Sequence, residues 1–237
     1  MPRHTLPGLI SGLTAAAIWG GMYVVSKVVL EVIPPFTLLT IRLALGILTL
    51  VVFILLSSLF AKGGKKGERL SPRQFWQIFL VGFVGYGISL GFQFVGTKLS
   101  TASNGSLVTS ATPAFILIFA PFLLGEKTTP RRILALIISS LGVIAVIDPR
   151  TAQLSPDLFW GNLSLLAAAL TWALYSVLVR ASHRLAPATD VMTSTAIMLA
   201  GGLPTGILFS AWEIGTQGIG SVTPGVIGGI LFLGIIS

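Results

Sequence analysis

The apolar residues of this chain come in long unbroken runs, not in the alternation of strands or the narrow stripes of soluble amphipathic helices. Following each run until charges or turn residues stop it predicts helices at about 8–30, 36–60, 74–97, 100–124, 130–147, 159–181 and 189–212, and one more from Pro224. These lengths fit the roughly 20 residues that cross a bilayer. The last run ends at Ser237 and as a helix would rise only about 21 Å, short of a hydrocarbon core of about 30 Å. The pattern predicts an all-α integral membrane bundle with about seven complete spans and a partial eighth.

Composition closes the soluble alternative. Hydrophobic residues make up 54% of the 237 positions and charged ones 9%, with a mean hydropathy of +0.93. Soluble domains carry about a quarter charged residues. A formal charge of +8 would suggest nucleic acid in a soluble basic protein, but here the cations fill gaps between apolar runs, where they set orientation. With a cytoplasmic N-terminus, Arg3, Lys62, Lys65, Lys66, Arg69, Arg73, Lys127, Arg131, Arg132, Arg180 and Arg184 all lie inside, against Lys27, Lys98 and Arg150 near the outer side. The expected setting is the plasma (inner) membrane, multi-pass, with the lipid bilayer and a small-molecule substrate as partners and no nucleic acid. The apolar run after the N-terminus continues to about Leu30, too long for a signal-peptide core, so an uncleaved first span is expected. The segment 62–69, KGGKKGER, is expected to be a flexible basic loop against anionic head groups.

A repeat crosses the chain. Sliding it by 153 positions superposes Gly8 on Gly161, Ser11 on Ser164, Leu13 on Leu166, Trp19 on Trp172, Val24 on Val177, Lys27 on Arg180 and Pro34 on Pro187. Five spans separate the two starts, and five is odd, so the copies enter the membrane in opposite senses, as in many secondary transporters. The expected units are a first five-helix repeat at 1–150 and an incomplete second repeat at 151–237, joined by an outer segment from Asp148 to Asp157. A parent of ten spans follows, two of them beyond Ser237.

Two stretches, LTAAAIWGGMY at 13–23 and TSATPAFILIFAPFLLGEK at 109–127, resemble the EamA-type branch of the drug/metabolite transporter superfamily. That resemblance covers essentially the whole chain. It implies two inverted five-helix repeats, each ending in a proline-containing helix followed by Leu-Gly-Glu, and export of amino acids, other metabolites or drugs.

Polar groups at membrane depth are expensive unless they are paired or line a wet cavity, which makes them the functional candidates. Trp19, Tyr23 and Lys27 share one face of the first span, and Trp172, Tyr175, Ser176 and Arg180 repeat the theme in the sixth. Two such stripes facing each other would line a central aromatic and hydroxyl cavity; alternatively the aromatics pack between helices and the cations reach the head groups. Tyr86, Ser89 and Gln93 form a polar stripe on the third span, among Gly82, Gly85, Gly87 and Gly91, which suit close helix contact. The fourth span carries Asn104 and Thr109 as candidate substrate contacts and Pro113, which frees the Thr109 carbonyl and serves either a gating kink or a tolerated bend. Arg42, about one and a half turns into the second span, either reaches the outer interface, pairs with Glu31, or holds a substrate carboxylate.

All seven acids, Glu31, Glu68, Glu126, Asp148, Asp157, Asp190 and Glu213, fall at span ends or in loops, so facilitated diffusion or exchange is expected rather than proton coupling through a mid-membrane carboxylate. The chain has no cysteine and two isolated histidines, His4 and His183, so no metal site, catalytic constellation or cofactor is expected and an enzyme is disfavoured. The leading expectation is an alternating-access carrier of small metabolites such as amino acids. A multidrug or organic-cation exporter of the same fold and a non-transporting scaffold are the alternatives. Gly225 and Gly229 would serve packing within one subunit or between two subunits of a homodimer.

Overall fold

The computed structural model describes residues 5–60, 70–146, 156–185 and 190–237. Arg3, His4, the basic loop 62–69, Asp148, Pro149, Arg150 and Pro187 lie outside the described residues, as do the side chains of Asp157, His183 and Arg184. The described chain is helical: α1 (Thr5–Leu30), α2 (Pro35–Phe60), α3 (Pro72–Gly82), a π-helical segment (Phe83–Ser89), α4 (Leu90–Leu99), α5 (Ala102–Thr109), α6 (Thr112–Leu124), α7 (Pro130–Val146), α8 (Pro156–Leu185), α9 (Val191–Thr216), α10 (Pro224–Leu231) and a closing π turn (Phe232–Ile236).

Six stretches among the described residues are long and apolar enough to cross a membrane: Leu6–Leu30, Pro35–Phe60, Pro72–Leu99, Ala102–Leu124, Leu158–Ser182 and Val191–Thr216. Each matches an expected span to within about two residues at both ends, except that Val191–Thr216 runs four residues past the expected 212. The expected span at 130–147 is the 17-residue α7, which starts at Pro130 ahead of Arg131 and Arg132.

Local chemistry sets the ends. Ser71 and Gln74 form a capping box at the start of α3 with Pro72 behind it. The Thr101, Asp190 and Thr223 side chains accept the first free amides of α5, α9 and α10. Gly125, at φ 64°, closes α6 in the left-handed conformation that favours glycine.

Packing is inverted relative to a soluble protein. Leu48, Val52, Leu55, Leu59 and Phe60 of α2 and Ile207, Leu208 and Trp212 of α9 are exposed, while Ser26, Thr37, Ser89, Gln93, Thr97 and Glu213 are buried. Lipid gives no hydrophobic drive between helices, so close contact must come from small residues and polar links. The α3–π–α4 span supplies both. It lies between α8 and α9, and α2 packs along α9 and against α4. A Cβ on Gly82 would collide with the Met198 backbone, and one on Gly201 with the Phe79 carbonyl. A Cβ on Gly96 would come within 2.7 Å of Leu165 and 2.9 Å of the Gly161 carbonyl oxygen.

The third span is not the single regular helix its apolar run predicts. Seven residues, FVGYGIS, form wider π turns. Gly85 sits against the Tyr175 ring and Gly87 against Thr205, so the widened backbone fits between α8 and α9 only where no side chain intervenes. The fourth span breaks between Thr109 and Thr112, and Pro113 is in the first turn of α6. The Thr109 carbonyl, deprived of its donor by Pro113, accepts the Thr112 hydroxyl at 2.6 Å.

Candidate functional site

Four aromatic rings from three spans converge where α1, α8 and the π segment meet. Trp172 and Tyr175 of α8 lie 4.8 Å apart between ring centroids, and Tyr86 of the π segment meets them edge-on at 5.9 and 5.4 Å. Trp19 of α1 stands edge-on to Trp172 at 6.3 Å. The two tryptophans that an offset of 153 positions superposes therefore touch. Tyr175 donates its hydroxyl to the Tyr86 oxygen at 3.3 Å and lies near the Met198 sulfur at 3.6 Å. Tyr86 and Trp172, both half-buried, pack against two separate apolar clusters, one built around Met22, Tyr23 and Phe94, the other around Ile78, Val81, Tyr175 and Met198. They form the seam between those clusters. Trp19 keeps 53% of its surface exposed, so the ring group is open on the α1 side.

A polar group adjoins the seam. Arg42 of α2 donates to the Met22 sulfur at 3.4 Å and to the Ser237 hydroxyl at 3.3 Å, and its guanidinium carbon lies 5.7 Å from the centre of the Phe94 ring. Gln93, buried, turns its amide toward the same Met22 sulfur at 3.7 Å. Glu31, one of the partners expected for Arg42, forms no salt bridge with it. The Tyr23 and Thr109 hydroxyls bond at 2.6 Å, linking α1 to the break in the fourth span.

Other candidates have local partners. Ser176 donates to the Trp172 carbonyl of its own helix at 2.8 Å. Asn104 donates its amide to the Ser100 hydroxyl, which donates to the Asn162 side-chain oxygen at 2.7 Å, a link between the fourth span and α8 away from the rings. Lys27 points its ammonium at the carbonyls of Thr97, Lys98 and Ser100, at 3.1, 2.8 and 2.5 Å, closing the C-terminal end of α4. Arg180 pairs with Glu126 at 3.1 Å, and so does Arg132. The Arg132 and Arg180 guanidiniums hold the half-buried Glu126 carboxyl below its ordinary range, Arg132 most strongly.

Two features escaped the sequence reading. Glu213 is buried near the end of α9, and its carboxylate accepts the Phe36 and Thr37 amides at 3.1 and 2.8 Å and the Thr37 hydroxyl at 3.1 Å. It serves as a cap for α2 delivered from another helix. Its position near a span end was visible, but nothing local tied it to residues 176 positions away. The second is the π segment, for which the glycine density of 82–91 was the available signal.

Chemically, the arrangement offers ring faces, phenol hydroxyls, one amide and one cation, which suits binding. No three His, Cys, Asp or Glu among the described residues gather as a metal site.

Residues 6–147 match the model of a family described as the EamA-like transporter family. The chain is 26% identical over 221 residues to the aromatic amino acid exporter YddG of Ancylobacter novellus, covering 91% of this chain and 73% of that protein. It is 24% identical over 162 residues to an uncharacterized transporter of Archaeoglobus fulgidus, covering 68% of this chain but only 53% of that protein. A solved crystal structure superposes with a TM-score of 0.67 at 24% identity, over 94% of this chain and 72% of its own, a likeness of fold.

Proposed function

Because the chain belongs to the EamA-like transporter family and is a multi-pass membrane protein, we propose that it is a carrier that exports or equilibrates small metabolites with an apolar or aromatic body, amino acids among them. The observation that carries this reading is the ring group of Trp19, Tyr86, Trp172 and Tyr175, contributed by both copies of the repeat and open on one side. The name of the Ancylobacter relative favours an aromatic amino acid over a drug. Binding is expected at the seam between the two apolar clusters, with Tyr23, Gln93 and Thr109 as further contacts. Asn104 and Ser176, whose polar atoms are held by Ser100 and by the Trp172 carbonyl, are the weakest of the proposed contacts.

The wider plan belongs to the same proposal. Two inverted five-helix repeats, ten spans in the whole protein, are supported by the 153-residue offset and by the contact of the equivalent residues Trp19 and Trp172. A plasma-membrane setting with a cytoplasmic N-terminus is supported by the distribution of Lys and Arg. Alternating access would then rock one repeat against the other around the ring group. Glu213, the buried acid, already accepts three donors from α2, which favours facilitated diffusion or exchange over proton coupling.

The test is counterflow in proteoliposomes against labelled amino acids, nucleosides and organic cations, with and without a pH gradient. Saturable uptake of aromatic amino acids that ignores the gradient is the expected result. Silence across the panel from folded protein would leave a scaffold, and flux that collapses when an imposed gradient is dissipated would overturn the uncoupled mechanism.

A further inference from the structure

Arg42 is the eighth residue of α2, so its Cα lies about 10 Å along the helix from the start of the span. A cation so placed can stretch back to the head groups. This one does not: its nearest partners are Met22 and Phe94, both buried, and the Ser237 hydroxyl. No carboxylate among the described residues comes within salt-bridge distance of it. Glu213, a buried acid at the same end of α2, is held by the Phe36 and Thr37 amides. Tyr23 and Tyr86, the other polar groups nearest the guanidinium, are phenols and not carboxylates.

A charge inside a membrane bundle is costly unless something of opposite sign meets it, and a thioether is a poor acceptor for a guanidinium. The Gln93 amide converges on the same Met22 sulfur. Two donor side chains thus meet at a soft, weakly accepting atom, and Tyr86 connects that place to the ring group through its contacts with Trp172 and Tyr175. This is a donor-rich pole beside an aromatic surface, and among the described residues no acid pairs with it.

We propose that Arg42 is the anion-reading end of the site, so that the carrier selects solutes whose carboxylate reaches Arg42 and Gln93 while their apolar body lies against Tyr86 and Trp172. This rests on the reading of the ring group as the binding site. It turns the general carrier into one for monocarboxylates and zwitterions and sets it against organic cations, which a fixed guanidinium repels. Arginine suits the task because its planar fork can meet both carboxylate oxygens, which a lysine ammonium cannot match.

The experiment measures equilibrium binding of labelled L-phenylalanine to the purified full chain in phosphatidylcholine nanodiscs, competed with 3-phenylpropionate, which has the carboxylate alone, and with phenethylamine, which has the amine alone. In the unmodified protein 3-phenylpropionate is expected to compete at least tenfold better than phenethylamine. Arg42→Gln should weaken 3-phenylpropionate by tenfold or more and leave phenethylamine unchanged or slightly improved. Arg42→Lys, which keeps the charge and is the gentler change should the glutamine variant not fold, should weaken 3-phenylpropionate several-fold without moving phenethylamine. Equal competition by the two analogues, or carboxylate affinity that neither variant alters, would overturn the proposal and leave the ring group as a charge-blind site. Absence of binding by any aromatic probe would instead remove the reading of the ring group, and this inference with it.

Discussion

Lys27 donates its ammonium to three carbonyls at the end of α4, while the hydroxyl of Ser26, its neighbour in sequence, is fully buried with no hydrogen-bond partner. The two side chains therefore act in opposite directions. Removing the donor leaves carbonyls of Thr97, Lys98 and Ser100 without a partner at a half-buried helix end, and a charge-assisted hydrogen bond of this kind contributes about 2 kcal/mol. Removing a buried hydroxyl that bonds to nothing relieves a desolvation cost. Lys27→Met is expected to lower the unfolding free energy by about 2 kcal/mol, and Ser26→Ala to leave it unchanged or raise it, as read by thermal or denaturant unfolding of the purified protein. If Ser26→Ala proves the more damaging change, the clamp is not what holds α1 to α4. For Lys27, the repeat pointed to the position but not to its use. It is equivalent to Arg180, yet one closes a helix end and the other pairs with Glu126, so the shared feature is the site of a cation and not its partner.

At the level of elements, the span formed by α3, the π segment and α4 decides how closely the bundle can pack. Gly82 and Gly201 bring it against α9 backbone to backbone, and Gly96 brings it against α8. Gly82→Val and Gly201→Val each place branched carbons where the opposing backbone already is, and overpacking of this kind costs about 1–3 kcal/mol or more because backbone cannot rotate aside. Gly12→Val, at a glycine with open space around its Cβ position, is the control and should be near neutral. A thermal-shift comparison of the three variants checks this; equal losses in all three would mean that glycine flexibility, and not the α3–α9 contact, is what matters. The six long spans were legible because length and apolarity alone specify them in lipid. The π segment was not, because a widened turn keeps the same apolar composition and differs only in what the glycines at 85 and 87 meet across the interface. Glu213 illustrates the same limit: its acid character was plain, but its role depends on α2 lying beside α9. The Trp19–Trp172 contact joins two residues that the 153-position offset superposes, although the offset alone left open whether they face each other.

On the scale of the whole molecule, α2 packs along α9 and Trp19 meets Trp172, and both pairs join elements that the 153-residue offset makes equivalent. Contacts between such elements are what the proposed pseudo-two-fold arrangement would produce, and under that proposal the ring group lies between the two repeats. Polar ties lie at the ends of the bundle, with Lys27 at the end of α4, Glu213 at the start of α2, and Glu126 with Arg180 between the end of α6 and α8, and also within it, where Tyr23 meets Thr109 and Ser89 donates to the Ala168 carbonyl. Around the ring group two apolar clusters meet, with Arg42, Gln93, the phenols and the Thr109 and Ser176 hydroxyls as the polar groups nearby.

The most direct test of the account is uptake of labelled L-phenylalanine by counterflow into proteoliposomes, comparing Trp172→Ala with Trp76→Ala. Trp76 is an exposed tryptophan of α3 that meets Phe75 and Phe79 of its own helix edge-on. The account predicts that Trp172→Ala loses tenfold or more of the saturable uptake while Trp76→Ala retains it, at matched amounts of folded protein. Equal uptake by the two variants, or a loss confined to Trp76→Ala, would contradict the assignment of the ring group as the place where the solute is held.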